Sequence, residues 1–152
     1  MESKPKHFLT KECMVSLLDL LEEVDNIPLV ISGGSMSPFL VHHRDTVYLS
    51  KVRQLPKRGD MILYRRDSGQ YVLHRVYRAT EDYTMVGDAQ TILEHGIRSD
   101  QILAIVTAAR RKGQLLQPGS FWWEFFRIGW IRLVPLRPLL SSIYAGTVRL
   151  FQ

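Results

Sequence analysis

A mainly β fold is predicted, a curved antiparallel sheet or partly open barrel with one helix before it and one or two after it. Three observations predict it. Short apolar runs rich in Val, Ile and Tyr alternate with Gly/Pro/Asp turn clusters from residue 27 to residue 110. A helical spacing of apolar residues stands ahead of the first run, and the composition turns abruptly aromatic and basic after Pro118-Gly119. The 152 residues suffice for a real hydrophobic core. They divide into 1–26, an amphipathic helix; 27–117, a β domain; and 118–152, an aromatic and basic helical tail. The predicted core is Val30, Ile31, Val47, Leu49, Ile62, Leu63, Val72, Val76, Met85, Ile102 and Ile105.

Taken in order, residues 10–24 place Cys13, Met14, Leu17, Leu18, Leu20, Leu21 and Val24 three and four apart, with Thr10 as N-cap and Glu12 in the first turn. Such a helix covers a sheet or docks a partner; Asp19, Glu22 and Glu23 disfavour an anionic bilayer. Cys13 is the only cysteine, which excludes an intrachain disulfide and predicts a core-filling role. The run 27–31 is a strand that Gly33-Gly34 break, and 46–52 is a second strand after the polar turn 41–45. His42 and His43 do not make a metal site, because neighbours on extended chain point to opposite faces. The basic turn 56–60 leads into a hairpin of 61–66 and 71–77 around Asp67-Ser68-Gly69-Gln70. Strand 82–86 ends at Gly87-Asp88, and strand 101–109 ends at the basic turn Arg110-Arg111-Lys112-Gly113.

The tail holds all three tryptophans, Trp122, Trp123 and Trp130, beside Arg127 and Arg132. Two readings stand for it: a bilayer-interface segment, or short helices packing on the protein's own sheet. Its arginines and Pro135 and Pro138 exclude a simple membrane span. Its contiguous apolar residues disfavour a nucleic-acid platform, and a net charge of +5 does not choose between nucleic acid and membrane.

Chemistry concentrates at three places. Ser35 sits in the glycine-rich loop after the first strand, where a carbonyl can approach the main chain and the Ser35 amide can face a developing oxyanion; the other reading is an ordinary turn. Pro38 fixes its own φ and pushes Ser37 towards an extended conformation. His74 shares an apolar strand face with Val72 and Val76, as a buried core histidine or as a base. Asp88, at a strand end, either accepts the His74 Nδ1–H or bonds its own loop.

The segments Gly34-Ser35-Met36-Ser37-Pro38-Phe39-Leu40, Val72-Leu73-His74-Arg75-Val76 and Met85-Val86-Gly87-Asp88-Ala89 follow one another in that order. They resemble the Ser-Met-x-Pro, His-Arg-Val and Gly-Asp boxes of type I signal peptidases, and residues 100–106 resemble the strand after the last box. Histidine as base marks the endoplasmic-reticulum and archaeal-type branch. The resemblance covers roughly residues 27–110. It implies a serine endopeptidase with Ser35 as nucleophile, His74 as base and Asp88 as orienting acid, with Glu94 competing for the last part. It also implies substrate contacts at Gly34, Met36 and Pro38, no metal or cofactor, and an extended peptide with small side chains at the cut, added as a strand beside the sheet.

The sequence departs from that pattern at two points. Gly33 stands where some members place a helper hydroxyl, leaving oxyanion stabilisation to backbone, Ser32 or Ser37. Where members carry an apolar anchor before the serine box, residues 1–26 hold Lys4, Lys6, Lys11, Glu12, Asp19, Glu22, Glu23 and Asp25, so a soluble start is expected. The expectation is a specialised peptide-processing enzyme in the cytoplasm, working at or near the inner membrane face and binding no nucleic acid. A serine–lysine mechanism, as in the self-cleaving repressors of this fold, needs its lysine where His74 stands, and Lys51 and Lys57 lie elsewhere. The competing class is an inactive peptide- or partner-binding module on the same fold.

Overall fold

Gly and Pro set the turns, and short alternating runs set the strands between them. The computed structural model describes residues 11–140, 142 and 143; the Thr10 cap lies outside the described residues. Helix α1 (Lys11–Leu21) precedes β1 (Ile27–Val30), β2 (Thr46–Ser50), β3 (Met61–Arg65), β4 (Tyr71–Ala79), β5 (Tyr83–Val86), β6 (Glu94–Ile97), β7 (Ile102–Arg111) and β8 (Gln114–Leu116). A short helix α2 (Phe121–Glu124) then runs into a π-helical segment (Phe125–Trp130) and a 3-10 turn (Val134–Leu136).

The fold is mainly β, as predicted. The strands form one open antiparallel sheet in the order β1-β2-β7-β3-β4-β5-β6, with β8 hairpinned onto β7. Register shifts at Tyr48/Leu49, Leu63/Tyr64 and Val76/Arg78 add local twist and bend the sheet. Two cores result. Strand β3 is buried on both faces, Met61 and Leu63 entering one core and Ile62 and Tyr64 the other. Met14 and Leu21 of α1 and Trp123 and Phe126 of the tail join the first core, so both flanking segments pack with the sheet.

Several sequence expectations need correction. Val30 is 53% exposed, because the alternation of β1 sends Ile27 and Leu29 inward and turns Val30 out. Ile102 and Ile105 are only half-buried, packed against the second core. Cys13 is exposed rather than core-filling, since α1 turns Met14 and Leu21 to the sheet. Val24 lies beyond the end of α1 and is exposed. Strands β6 and β8 escape sequence reading: Glu94-His95-Gly96-Ile97 has no apolar alternation and becomes a strand through pairing with β5.

The tail packs on the protein's own sheet by one face and leaves the other open. Trp123, Phe126, Ile131 and Val134 are buried, and Phe126 and Trp123 meet the Phe39 ring at 4.7 and 6.4 Å. Each such aromatic contributes on the order of 1.5–3 kcal/mol by leaving water. The outer face exposes Phe121, Trp122, Phe125 and Ile128. No helix among the described residues is long and apolar enough to cross a membrane.

Candidate active site

The serine loop is braced from several sides. Gly33, at φ 89°, turns the chain after β1, and its N–H donates to His42 Nδ1 at 2.7 Å. Arg111 donates to the Pro38 and Phe39 carbonyls at 3.4 and 2.8 Å, and Met36, Phe39 and Leu40 plug the loop into the first core. The Ser35 carbonyl accepts the Ala89 N–H at 2.9 Å, which ties the loop to the Gly87-Asp88-Ala89 turn. Gly87 permits that approach, since a Cβ there would lie 2.5 Å from the Ser35 oxygen.

Opposite the loop, β4 carries His74, 3% exposed. In the β3–β4 register Ile62 faces His74, so Tyr64 is its diagonal neighbour on the same face. The Tyr64 hydroxyl lies 2.7 Å from Glu94 Oε2 and 3.3 Å from His74 Nδ1. A hydroxyl has one proton, and burial together with the bond to Glu94 pushes the Tyr64 pKa up, so the phenol stays protonated. Glu94 is an ionised acceptor: Arg66, bonded to both its oxygens at 2.9 and 2.8 Å, holds its pKa below the usual carboxylate value. Tyr64 therefore donates to Glu94, and His74 must donate its Nδ1–H to the Tyr64 oxygen. That tautomer leaves the lone pair on Nε2.

Burial lowers the His74 pKa to about 4, with the charge on Glu94 opposing, so the ring is neutral at pH 7. Ser35 and His74 line one cleft of about 800 Å³. Neither Ser35 Oγ nor His74 Nε2 has a hydrogen-bond partner among the described residues, and the Ser35 amide is likewise unpaired. The structure thus brings Ser35 and His74 to one cleft without bonding them directly.

Asp88 is not the partner of His74. Adjacent residues of a strand point to opposite faces, and on the far face Arg75 takes both Asp88 oxygens at 2.9 and 2.8 Å while donating to the Gly59 carbonyl at 2.8 Å. The tail completes this scaffold. Trp130 Nε1 donates to the Asp88 carbonyl at 2.8 Å, and Arg137 donates to the Gly87 and Gln90 carbonyls at 2.9 and 2.8 Å. Glu94, the alternative acid, reaches His74 only through Tyr64. Of the expected substrate contacts, Gly34 and Met36 line the cleft, whereas Pro38 is exposed beyond its lining and joined to Ser37 by a cis peptide bond.

Tyr64 and Arg66 are missed by sequence reading, although the hairpin turn at 67–70 fixes the pairing that places Tyr64 beside His74. His42 and His43 stack on each other at 3.5 Å, and among the described residues no three His, Cys, Asp or Glu side chains are grouped to hold a metal.

The cleft runs between Leu29, Val30 and Ile31 at one end of the strand order and the β3–β4 hairpin, two strands beyond β2, so the sheet curls to form it. Strand β1 pairs only with β2 in the described sheet and offers its other edge. Comparison of the chain with protein-family models, with curated proteins and with solved structures finds no match in any of the three.

Proposed function

We propose that this protein is a serine endopeptidase of the type I signal peptidase kind, cutting an extended leader-like peptide. The observation that carries the reading is the bond chain from Arg66 through Glu94 and Tyr64 to His74, which leaves Nε2 as the basic atom of a buried, neutral imidazole. The peptide adds as a strand along the free edge of β1, with Val30 and Leu73 offering apolar surface to its side chains. Ser35 Oγ attacks the scissile carbonyl as its proton passes to His74 Nε2, and the Ser35 N–H meets the developing oxyanion. The tetrahedral species collapses as His74 Nε2 gives that proton to the leaving amine, and an acyl-Ser35 ester remains. Water, deprotonated by the same nitrogen, hydrolyses the ester and restores Ser35. Charge forming on the imidazole is balanced by Glu94 through the Tyr64 hydroxyl.

The same reading sets the enzyme in the cytoplasm, peripheral on the inner face of the membrane. Exposed Phe121, Trp122, Phe125 and Ile128, with Arg132 nearby in the chain, form an aromatic and cationic face suited to headgroup depth.

The test is covalent. A fluorophosphonate or β-lactam-type serine probe is incubated with the protein in detergent and the labelled residue is found by mass spectrometry. Label on Ser35 that Ser35→Ala and His74→Ala both abolish is expected. An unlabelled Ser35 overturns the enzyme reading in favour of a peptide-binding module.

A further inference from the structure

The cations lining the cleft carry information about its substrate. Lys11 of α1, Arg65 at the end of β3 and Arg66 in the hairpin all line it, and no Asp or Glu does. Arg66 is committed to Glu94. Lys11 and Arg65 have no ion-pair partner among the described residues, whereas exposed Lys51, Arg53 and Arg98 each meet a carboxylate. Arg65 is also held in place: its guanidinium sits over the Tyr71 ring at 5.7 Å, so little rotamer freedom remains to be lost when an anion arrives.

Register converts this into a position. Ile62 faces His74 and Arg65 faces Tyr71, three pairs further along the ladder. At a rise of about 3.4 Å per residue, Arg65 lies roughly 10 Å from the base along the strand direction. Arg65 leaves β3 on the face opposite His74, with Tyr71 and Leu73, yet both residues line the one cleft. An extended peptide has the same rise, so the side chain it brings to Arg65 lies about three residues along the chain from the bond that His74 serves.

We infer that the cleft selects peptides with an acidic side chain about three residues from the scissile bond, recognised by Arg65 and Lys11. This rests on the cleft being a peptide site, but not on Ser35 cutting.

The full chain with Ser35→Ala, which binds without cleaving, is titrated with labelled extended peptides that differ only in carrying Glu, Gln or Lys at that position. Fluorescence anisotropy is read at low and high salt. The Glu peptide is expected to bind roughly 5-fold tighter than the Gln peptide and the Lys peptide weaker still, with the differences shrinking in salt. Adding Arg65→Glu and Lys11→Glu, both exposed positions, should reverse the order, while Arg65→Lys should keep it. Equal binding of the three peptides, no binding of any, or an order that survives the reversal overturns the inference. Probe labelling of Ser35 in the unsubstituted chain is run in parallel. A labelled Ser35 with charge-blind binding sinks this selectivity alone, whereas an unlabelled Ser35 with charge-selective binding sinks only the peptidase.

Discussion

Arg75 and Asp88 form a two-bond ion pair with side-chain exposures of 2% and 0%, one residue along the chain from His74 yet on the opposite face of β4. The pair fixes the Gly-Asp turn that receives the Ser35 loop, so in the proposed mechanism Asp88 positions Ser35 and does not orient His74. Removing one member of a buried pair leaves an uncompensated charge, which costs about 3–5 kcal/mol. Asp88→Ala should therefore lower the melting temperature by on the order of 10 °C, whereas Arg75→Met with Asp88→Leu should recover much of that loss. An Asp88→Ala protein as stable as the parent, with only its probe labelling lost, would point back to a catalytic carboxylate.

Tyr64→Phe isolates the orienting hydroxyl. The ring volume stays, and the bond that holds the proton on His74 Nδ1 goes. Labelling of Ser35 should slow by one to two orders of magnitude, within the range of general-base contributions. Thermal stability should fall by only about 1 kcal/mol, because Glu94 keeps Arg66. An unchanged labelling rate would remove Tyr64 from the proposed mechanism.

The pH dependence follows from the lowered His74 pKa. The base form dominates above about 4, so the rate of Ser35 labelling should rise with pH through that value and be flat near neutrality. For stability, the unfolded histidine takes up its proton at 6.5 while the folded one resists until about 4. The contribution is complete above 6.5 and is lost as pH falls through that window, to a total of about 3 kcal/mol. Glu94, also lowered, adds in the same direction as pH falls below its ordinary 4.5. His74→Phe should flatten the upper part of the curve in urea titrations across this range, and a slope that His74→Phe leaves unchanged contradicts the assignment.

Gly87→Ala tests the close approach. A Cβ 2.5 Å from the Ser35 oxygen cannot be accommodated without moving the serine loop, and displacements near 1 Å cost about 100-fold in positioned reactions. The expected result is a folded protein whose Ser35 labels on the order of 100 times more slowly, read by the time course of probe incorporation.

The outer tail face is tested by Trp122→Ser with Phe125→Ser. Both side chains are exposed, so stability should change by less than about 1 kcal/mol. Sedimentation with vesicles containing anionic lipid should be lost, while Ser35 labelling in detergent is kept. Parent protein that stays in the supernatant refutes the membrane contact.

The sequence by itself determined the class of fold, six of the eight strands in outline, α1, the serine loop and the face of β4 on which His74 lies. These are readable because alternation, helical spacing and Gly/Pro punctuation act over a few residues. Short β6 and β8 carry no such pattern and exist through their partners. Which acid serves which base was decided only by tertiary structure. Asp88 goes to Arg75 and Glu94 reaches Tyr64 because the sheet curls, and those contacts join residues 13 and 30 positions apart. The alternation of β1 turned Val30 out of the core, the curl of the sheet made it a cleft wall, and packing on the first core divided the tail into a buried face and an open one. Strand geometry is local, whereas carboxylate pairing depends on twist accumulated over the whole sheet.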